Sequence, residues 1–241
     1  MILGFQGTSL INYPKQVASV IFLADCNLHC PYCYNKSLVY PNRNFQALSK
    51  DYILDELKKR ENFNTGVCIS GGEPTLYHLE LLDLIDSIKS TVPNINIKLD
   101  TNGTRPEVLE PLLKDKKVNY IAMDFKTIPS EYKGDFSKCD VSDAITESMR
   151  IIRENLDPEH YEFRTTVTRE LFTEEIAKGM AKYLQKQDHI YFQNFKYFGE
   201  DYHINVRAFN NVETLPYTKE QLLKVIEPIT KKCDNVFYRN F

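Results

Sequence analysis

The sequence predicts an α/β protein with a parallel sheet, folded as one domain. Its 241 residues are 42% hydrophobic and 26% charged, with nine Gly and eleven Pro. This composition is typical of a globular protein and excludes collagen-like and disordered chains. Short apolar runs rich in β-branched residues alternate with longer stretches of helical period, as in βαβ units, and no Gly-, Ser- or Pro-rich linker interrupts them. Six such units predict an incomplete barrel or an open, doubly wound sheet.

Six apolar segments are predicted to form the strands. They are residues 17–23, 67–70, 95–100, 118–125, 161–168 and 190–193. Each segment is followed by a loop, and clear helical segments separate five of them from the next strand. Because the carboxyl ends of parallel strands meet at one edge of the sheet, we expect the chemistry of the protein in the loops that follow the strands.

The helix signals agree with this alternation. A helix is predicted over residues 76–90. Its apolar stripe consists of Leu79, Leu82, Ile85 and Ile88. Two pairs have the spacing of capping boxes, Thr104 with Glu107 and Thr218 with Gln221, and they predict the starts of two further helices. No element is predicted over residues 195–215, which lack a clear period.

Charge and hydropathy restrict the partners. We expect one domain over residues 1–241, with a core over about 16–195 and a carboxyl-terminal extension over 196–241. Thirty Lys and Arg against 33 Asp and Glu, without a long basic run, do not indicate a nucleic-acid partner. No apolar stretch reaches the roughly 18 residues of a membrane span, and the amino terminus lacks the features of a signal peptide. We therefore expect a cytoplasmic protein without a membrane partner.

Three cysteines, Cys26, Cys30 and Cys33, directly follow the first predicted strand in a C-x3-C-x2-C pattern. Three thiols this close together can bind one metal ion or cluster, and their spacing differs from those of bacterial ferredoxins and zinc ribbons. If they bind a [4Fe-4S] cluster, one iron has no protein ligand, as a catalytic site requires. The alternative is a structural zinc site in an interaction module, completed by His29 or a distant Cys.

This loop resembles that of the radical S-adenosylmethionine (SAM) enzymes, with Tyr32 as the aromatic residue of their C-x3-C-x-aromatic-C motif. The resemblance implies a partial (β/α)6 barrel, three cysteine ligands to a [4Fe-4S] cluster, and an open iron chelated by the amino and carboxylate groups of SAM. In that family, one-electron reduction cleaves the sulfonium to methionine and a 5'-deoxyadenosyl radical. The resemblance also implies that Tyr32 lies beside the adenine.

The second predicted strand is followed by Gly71, Gly72 and Glu73. Paired glycines allow the backbone to approach a ligand closely, although such a sequence alone also fits an ordinary βα turn. The turn is similar to the GGE motif of the radical SAM family, which contacts the methionine amine. We therefore expect these three residues to bind SAM.

The third and fourth predicted strands end in acidic motifs, one with Asp100 in Asp-Thr-Asn-Gly and the other with Asp124 and Lys126. In isolation, these residues fit turn formers and a solvated charge. The two motifs look like those of the pyruvate formate-lyase activating enzyme, in which the matching residues bind SAM and, through the two Asp, a monovalent cation. A buried Asp pair needs compensating positive charge, which a cation or the sulfonium could provide.

Arg164 is an isolated charge within the fifth predicted strand. A guanidinium facing the barrel interior could bind the carboxylate or ribose of SAM, as the resemblance to the activating enzymes implies. The alternative is a salt bridge at the rim.

Residues 1–35 resemble the amino-terminal region of anaerobic ribonucleoside-triphosphate reductase activating proteins, and the similarity extends to about residue 170. Such proteins abstract hydrogen from a glycine of the partner reductase and leave a glycyl radical there. Tyr34 departs from the pattern, because many relatives have His at this position. The resemblance implies a reductase partner and an electron donor such as flavodoxin or ferredoxin. The alternative enzyme is a carboxy-deazaguanine synthase-like radical SAM enzyme that acts on a small molecule.

Overall fold

One eight-stranded sheet organises residues 2–41, 46–196 and 215–241, the parts of the chain that the computed structural model describes. The strands are β1 (Ile2–Ser9), β2 (Ala18–Leu23), β3 (Gly66–Gly71), β4 (Asn96–Thr101), β5 (Tyr120–Asp124), β6 (Tyr161–Val167), β7 (His189–Asn194) and β8 (Asn235–Arg239). They lie side by side in chain order, β1 antiparallel to β2 and every later pair parallel.

The strand order distinguishes the two architectures that the sequence allows. A doubly wound sheet reverses its strand order at a switch point, whereas the strands of a barrel follow one another in chain order. Here β2 to β8 follow chain order, and β1 and β8 are the two ends of the sheet. The α/β prediction and the partial barrel are therefore confirmed.

Eight α-helices are found in the described ranges. They are α1 (Lys36–Val39), α2 (Lys50–Lys58), α3 (His78–Thr91), α4 (Pro106–Lys114), α5 (Ser142–Asn155), α6 (Glu174–Ala181), α7 (Lys219–Val225) and α8 (Glu227–Thr230). Their apolar faces pack with alternate strand residues in one large core. Ile97 and Leu99 of β4 belong to that core, so the alternation of a strand directs Lys98 and Asp100 to the opposite face of the sheet. That face carries the charged groups of the site.

The six predicted strands correspond to β2 through β7, but the sequence prediction missed the first and last strands. Two glycines, Gly4 and Gly7, weaken the apolar pattern of β1, and its pairing with β2 contains register shifts. The five-residue strand β8 pairs with β7 and extends the same sheet.

Two helix predictions were wrong in detail. The buried residues of α3 are Leu81, Leu84, Ile85 and Ile88, whereas Leu79 is 73% exposed. The buried set has the i, i+3, i+4, i+7 spacing of a complete helix face, to which Leu79 does not belong. The capping box at Thr218 is present. No capping box forms at Thr104, because the hydroxyl of Thr104 donates to the Asn102 side chain and α4 begins later, at Pro106.

No helix in the described residues is both long enough and apolar enough to span a bilayer.

Candidate active site

A cavity of about 230 Å³ lies at the carboxyl ends of the parallel strands. It brings together every residue that the sequence singled out for the cluster and for SAM. They are Cys26, Cys30, Tyr32, Cys33, Gly71, Gly72, Glu73, Asp100, Asp124, Lys126 and Arg164. These residues come from five segments of the chain, and the parallel sheet explains their convergence, because its strand ends meet at one edge.

The three cysteines lie in the loop between β2 and α1 and remain free thiols. Burial raises the pKa of Cys26 to about 11 and also raises the pKa values of Cys30 and Cys33. Within the described ranges, no group of three or more His, Cys, Asp or Glu side chains converges as the ligands of one metal ion do. The three cysteine thiols line one cavity, and three is the number of protein ligands of a [4Fe-4S] cluster with one open iron.

His29, the possible fourth ligand of a zinc site, has another contact. Its Nε2 atom lies 3.1 Å from the carbonyl oxygen of Gly134, and its backbone N–H donates to Phe136. Both contacts fasten the cysteine loop to the segment that follows β5.

Asparagine side chains hold the cysteine loop against neighbouring strand ends. Asn27 donates to the hydroxyl of Thr104 at 2.7 Å, and Asn102 donates to the side-chain oxygen of Asn27 at 2.9 Å. The amide of Asn102 also lies 3.7 Å from the sulfur of Cys26. Asn35 donates to the carbonyl of Gly71 at 2.9 Å. Asn102 is the third residue of the Asp-Thr-Asn-Gly motif that follows Asp100, and this position is the sequence signal that could have indicated the contact.

Tyr32 supplies a polar atom without a partner. Its side chain is buried, its ring lies 5.9 Å from that of Phe136, and its hydroxyl has no hydrogen-bond partner in the described part of the chain. A buried polar group without a partner costs roughly 1–3 kcal/mol. A polar ligand in this cavity would satisfy the hydroxyl, so the site fits a bound cofactor.

Gly71, the last residue of β3, and Gly72, which follows it, must be glycines because neighbouring backbone leaves no room for a Cβ atom at either position. Gly71 has a φ of +126°, and a Cβ there would lie 2.2 Å from the backbone oxygen of Leu23. A Cβ on Gly72 would lie 1.8 Å from the oxygen of Asp25. The sequence suggested that the two glycines make room for a ligand. In the structure, part of that room is occupied by the backbone that leads into the cysteine loop.

The carboxylate of Glu73 is fully buried and holds four hydrogen bonds. Oε1 accepts from the backbone N–H and hydroxyl of Thr75, at 3.1 and 2.5 Å, and from the hydroxyl of Thr101 at 2.8 Å. Oε2 accepts from the backbone N–H of Asn102 at 2.6 Å. Burial raises the pKa of Glu73, while these hydrogen bonds act in the opposite direction. Glu73 thus joins the turn after β3 to the end of β4.

Asp100 and Asp124 stand at the ends of β4 and β5 in an ion-pair network. Arg164 bridges them, with Nη1 3.4 Å from Asp100 and Nη2 3.0 Å from Asp124. Lys126 pairs with Asp124 at 2.8 Å, and Lys98 pairs with Asp100. Burial alone would raise the pKa of Asp100, but Arg164 and Lys98 hold it at about 2. The pKa of Asp124 is also lowered, because Lys126 and Arg164 outweigh its burial.

Arg164 therefore pairs inside the barrel and not at its rim, since its side chain is only 15% exposed. Lys98, a lysine with 2% exposure, was not among the predicted site residues. The sequence feature that could have indicated it is a charged residue between the two apolar core residues Ile97 and Leu99 of β4. Gln193 of β7 also lines the cavity, whereas Asn194 pairs with the backbone of Tyr217.

The sequence model of the Radical SAM superfamily matches residues 20–178, more than half of the chain. The chain belongs to the radical SAM superfamily. A protein of Methanocaldococcus jannaschii, described as a candidate glycyl-radical enzyme activating enzyme, is 31% identical over 99% of this chain and 95% of its own length. The 7-carboxy-7-deazaguanine synthase of the same organism is 33% identical, over 35% of this chain and 39% of its own.

Solved structures show the same fold. Methylornithine synthase superposes with a TM-score of 0.56 and 14% identity, over 91% of this chain and 63% of that protein. As a member of the radical SAM superfamily, the present chain uses a [4Fe-4S] cluster and SAM. Together they supply one-electron cleavage of a sulfonium and thereby radical chemistry. The protein's part is to hold both groups, orient them and exclude water.

Proposed function

We propose that this radical SAM enzyme activates a glycyl-radical enzyme, and that its target is an anaerobic ribonucleotide reductase. The end-to-end match with the candidate activating enzyme of M. jannaschii carries the proposal. That match includes the carboxyl-terminal part of both chains and not only the half that binds the cofactors. The choice of the reductase rests on the resemblance of residues 1–35 to reductase activating proteins.

The proposed roles of the site residues follow from their positions. Cys26, Cys30 and Cys33 are assigned to three irons of the cluster, and Tyr32 to the side of the adenine. Lys126 and Arg164 are assigned to the polar groups of SAM, and Asp100 and Asp124, whose oxygens already have protein donors, are assigned to hold these two cationic side chains at the cavity. Because the carboxylate of Glu73 is already occupied by protein donors, we assign it a positioning role, in which it fixes the Gly71–Gly72 turn that we assign to the methionine amine.

Two further cavities border the cofactor cavity and provide room for a protein substrate. One, of about 530 Å³, shares Asp100, Arg164 and Gln193 with it and extends to Asn12 and Arg239. The other, of about 580 Å³, also shares Gln193. Both adjoin the side of the barrel where β1 and β8 form the ends of the sheet. A loop of a partner protein can reach the SAM region through this side.

We further propose that residues 1–241 act as one domain, in which the extension over 196–241 contributes β8 to the common sheet. The electron donor is proposed to be a flavodoxin or ferredoxin. A cytoplasmic location is proposed because all six cysteines are unpaired.

Electron paramagnetic resonance tests the proposal. The protein, reconstituted with iron and sulfide under anaerobic conditions, is reduced and mixed with SAM and the anaerobic reductase from the same genome. We expect a glycyl radical signal on the reductase. The control is a reductase variant with the target glycine replaced by alanine, which should give no signal.

The short match to 7-carboxy-7-deazaguanine synthase supports a second candidate, a radical SAM enzyme that acts on a small molecule. If the reductase gives no signal while a pterin-like compound is turned over, the second candidate replaces the first. A zinc-binding interaction module would show zinc, and neither iron nor sulfide, after anaerobic purification.

A further inference from the structure

The two carboxylates that the resemblance assigns to a monovalent cation have donors at all four oxygens. Asp124 Oδ1 accepts from Nε of Arg164 at 3.0 Å, and Oδ2 pairs with Lys126 at 2.8 Å. Asp100 Oδ1 pairs with Lys98, and Oδ2 accepts from the hydroxyl of Ser70 at 2.9 Å and lies 3.4 Å from Arg164. A cation bound by both carboxylates would have to share these oxygens with the ammonium and guanidinium groups that already contact them, close to their positive charges.

Lys98 is placed by the strand itself. It lies two residues before Asp100 on β4, so both side chains point to the same face of the sheet. The side chain of Lys98 is 2% exposed, and its Nζ atom contacts Asp100 and lies 3.8 Å from the sulfur of Cys68. The Tyr120 ring lies 6.0 Å away. A buried ammonium is costly unless a carboxylate is beside it, and Asp100 provides that carboxylate.

The charge balance also opposes a further cation. Lys98, Lys126 and Arg164 bring three positive charges to the two carboxylates of Asp100 and Asp124. The neighbouring pair of Glu162 and Arg239 adds one charge of each sign, so an added Na⁺ or K⁺ would leave an excess of two positive charges in a buried site, where charge repulsion is weakly screened. The residues present do not fit a resident monovalent cation.

We propose that the ammonium group of Lys98 takes the place of a monovalent cation at Asp100, so that this site neither needs nor binds Na⁺ or K⁺. Lys98 is then a positioning residue. It keeps Asp100 ionised and turned toward Arg164, which in turn bridges to Asp124 at the cofactor cavity. The proposal concerns the cofactor site and does not depend on which partner the enzyme activates.

Thermal unfolding of the full-length chain tests the proposal in NaCl, KCl and choline chloride at equal ionic strength. The wild-type protein should unfold at the same temperature in all three salts. Lys98→Met leaves Asp100 without its ammonium partner. In choline chloride, the unfolding midpoint of this variant should therefore lie several degrees below that of the wild-type protein. In this variant, NaCl or KCl should restore part of the loss in a saturable way.

Two variants serve as matched controls. Lys98→Arg retains the positive charge and should remain indifferent to the choice of salt. Lys50→Met removes an exposed lysine that pairs with Asp83 at 2.6 Å, and it should show no recovery specific to Na⁺ or K⁺. SAM affinity of the cluster-reconstituted proteins provides a second measurement, in which only Lys98→Met should bind more weakly in choline chloride than in KCl.

Two results would overturn the proposal: saturable stabilisation of the wild-type protein by Na⁺ or K⁺ relative to choline, or a Lys98→Met variant without any cation-specific recovery. If Lys98→Met does not fold, the ²³Na line width in the presence of wild-type protein decides, since a resident site would broaden it. None of these measurements uses the reductase, so their failure is separable from failure of the proposed function.

Discussion

The two halves of the cofactor cavity differ in how far the protein itself provides partners for their polar groups. On the side of the cysteine loop, three free thiols line the cavity beside the hydroxyl of Tyr32, which has no hydrogen-bond partner among the described residues. On the side of β4, β5 and β6, the carboxylates and cations are paired with one another. The first half needs a ligand to satisfy its groups, whereas the second is satisfied by the protein alone. We therefore expect the first half to determine cofactor loading and the second to determine the stability of the empty protein.

The largest effect is expected at the cysteine loop. Cys30→Ala removes one of three proposed ligands, so iron and sulfide content after reconstitution should fall close to background. The matched control is Cys139→Ala, at an exposed cysteine outside the cavity, which should load normally. Iron and sulfide assays with visible absorption spectra provide the measurement. Full loading of Cys30→Ala would contradict the ligand assignment.

The next effect is expected at the junction of the two halves. Glu73→Gln replaces a buried acceptor by an amide, whose NH₂ would face a donor such as the N–H of Asn102. A mismatch of this kind costs roughly 1–3 kcal/mol of unfolding free energy. Urea unfolding of the empty protein measures it, and SAM affinity should fall in parallel. Glu80→Gln, on the surface of α3, is the control, and an equal loss in both variants would contradict the role of Glu73.

The paired half predicts a dependence on acid. The pKa of Asp100 in the folded protein is about 2, below its ordinary value of 3.8. Its ion pairs therefore stabilise the fold above about pH 4, and this stabilisation is lost as the pH falls toward 2. Asp100→Asn should thus be less stable than the wild type at pH 7, and the difference should shrink below pH 4. Urea unfolding across this range measures it, and a constant difference would contradict the prediction.

A smaller effect is expected where the cysteine loop contacts the segment that follows β7. The hydroxyl of Tyr34 accepts from the backbone N–H of Lys196 at 2.6 Å, and its ring stacks on Phe195 at 5.6 Å. Tyr34→Phe keeps the ring and removes the hydroxyl, so the free energy of unfolding should fall by about 0.5–1.5 kcal/mol. Iron loading should be unchanged. Reduced iron loading in Tyr34→Phe would mean that this contact also shapes the cysteine loop.

The sequence predicted the strands that carry the site, because β2 to β7 are apolar segments separated by helices. It also predicted the residues around the cavity, since all but Arg164, which lies within β6, follow a parallel strand or stand near its carboxyl end. It did not predict β1 and β8, whose patterns are interrupted or short. Nor did it predict that Glu73 and Asp100 would be occupied by protein partners. Thr75 and Lys98 lie only two residues from these carboxylates, but the other partners, Thr101 and Asn102 at Glu73 and Ser70 and Arg164 at Asp100, come from segments about 30 or more residues away, which no local pattern encodes.

The close packing at Gly71 and Gly72 links two sites that perform different tasks. Because backbone of the segment 23–25 occupies the room where their side chains would be, even alanine at either position would push against the strand that leads to the thiols. The cysteine loop and the glycine turn, which are the proposed holders of the cluster and of the methionine end of SAM, are therefore joined by direct main-chain packing. Side-chain motion alone would not change the separation of these two segments, since main-chain contact sets it.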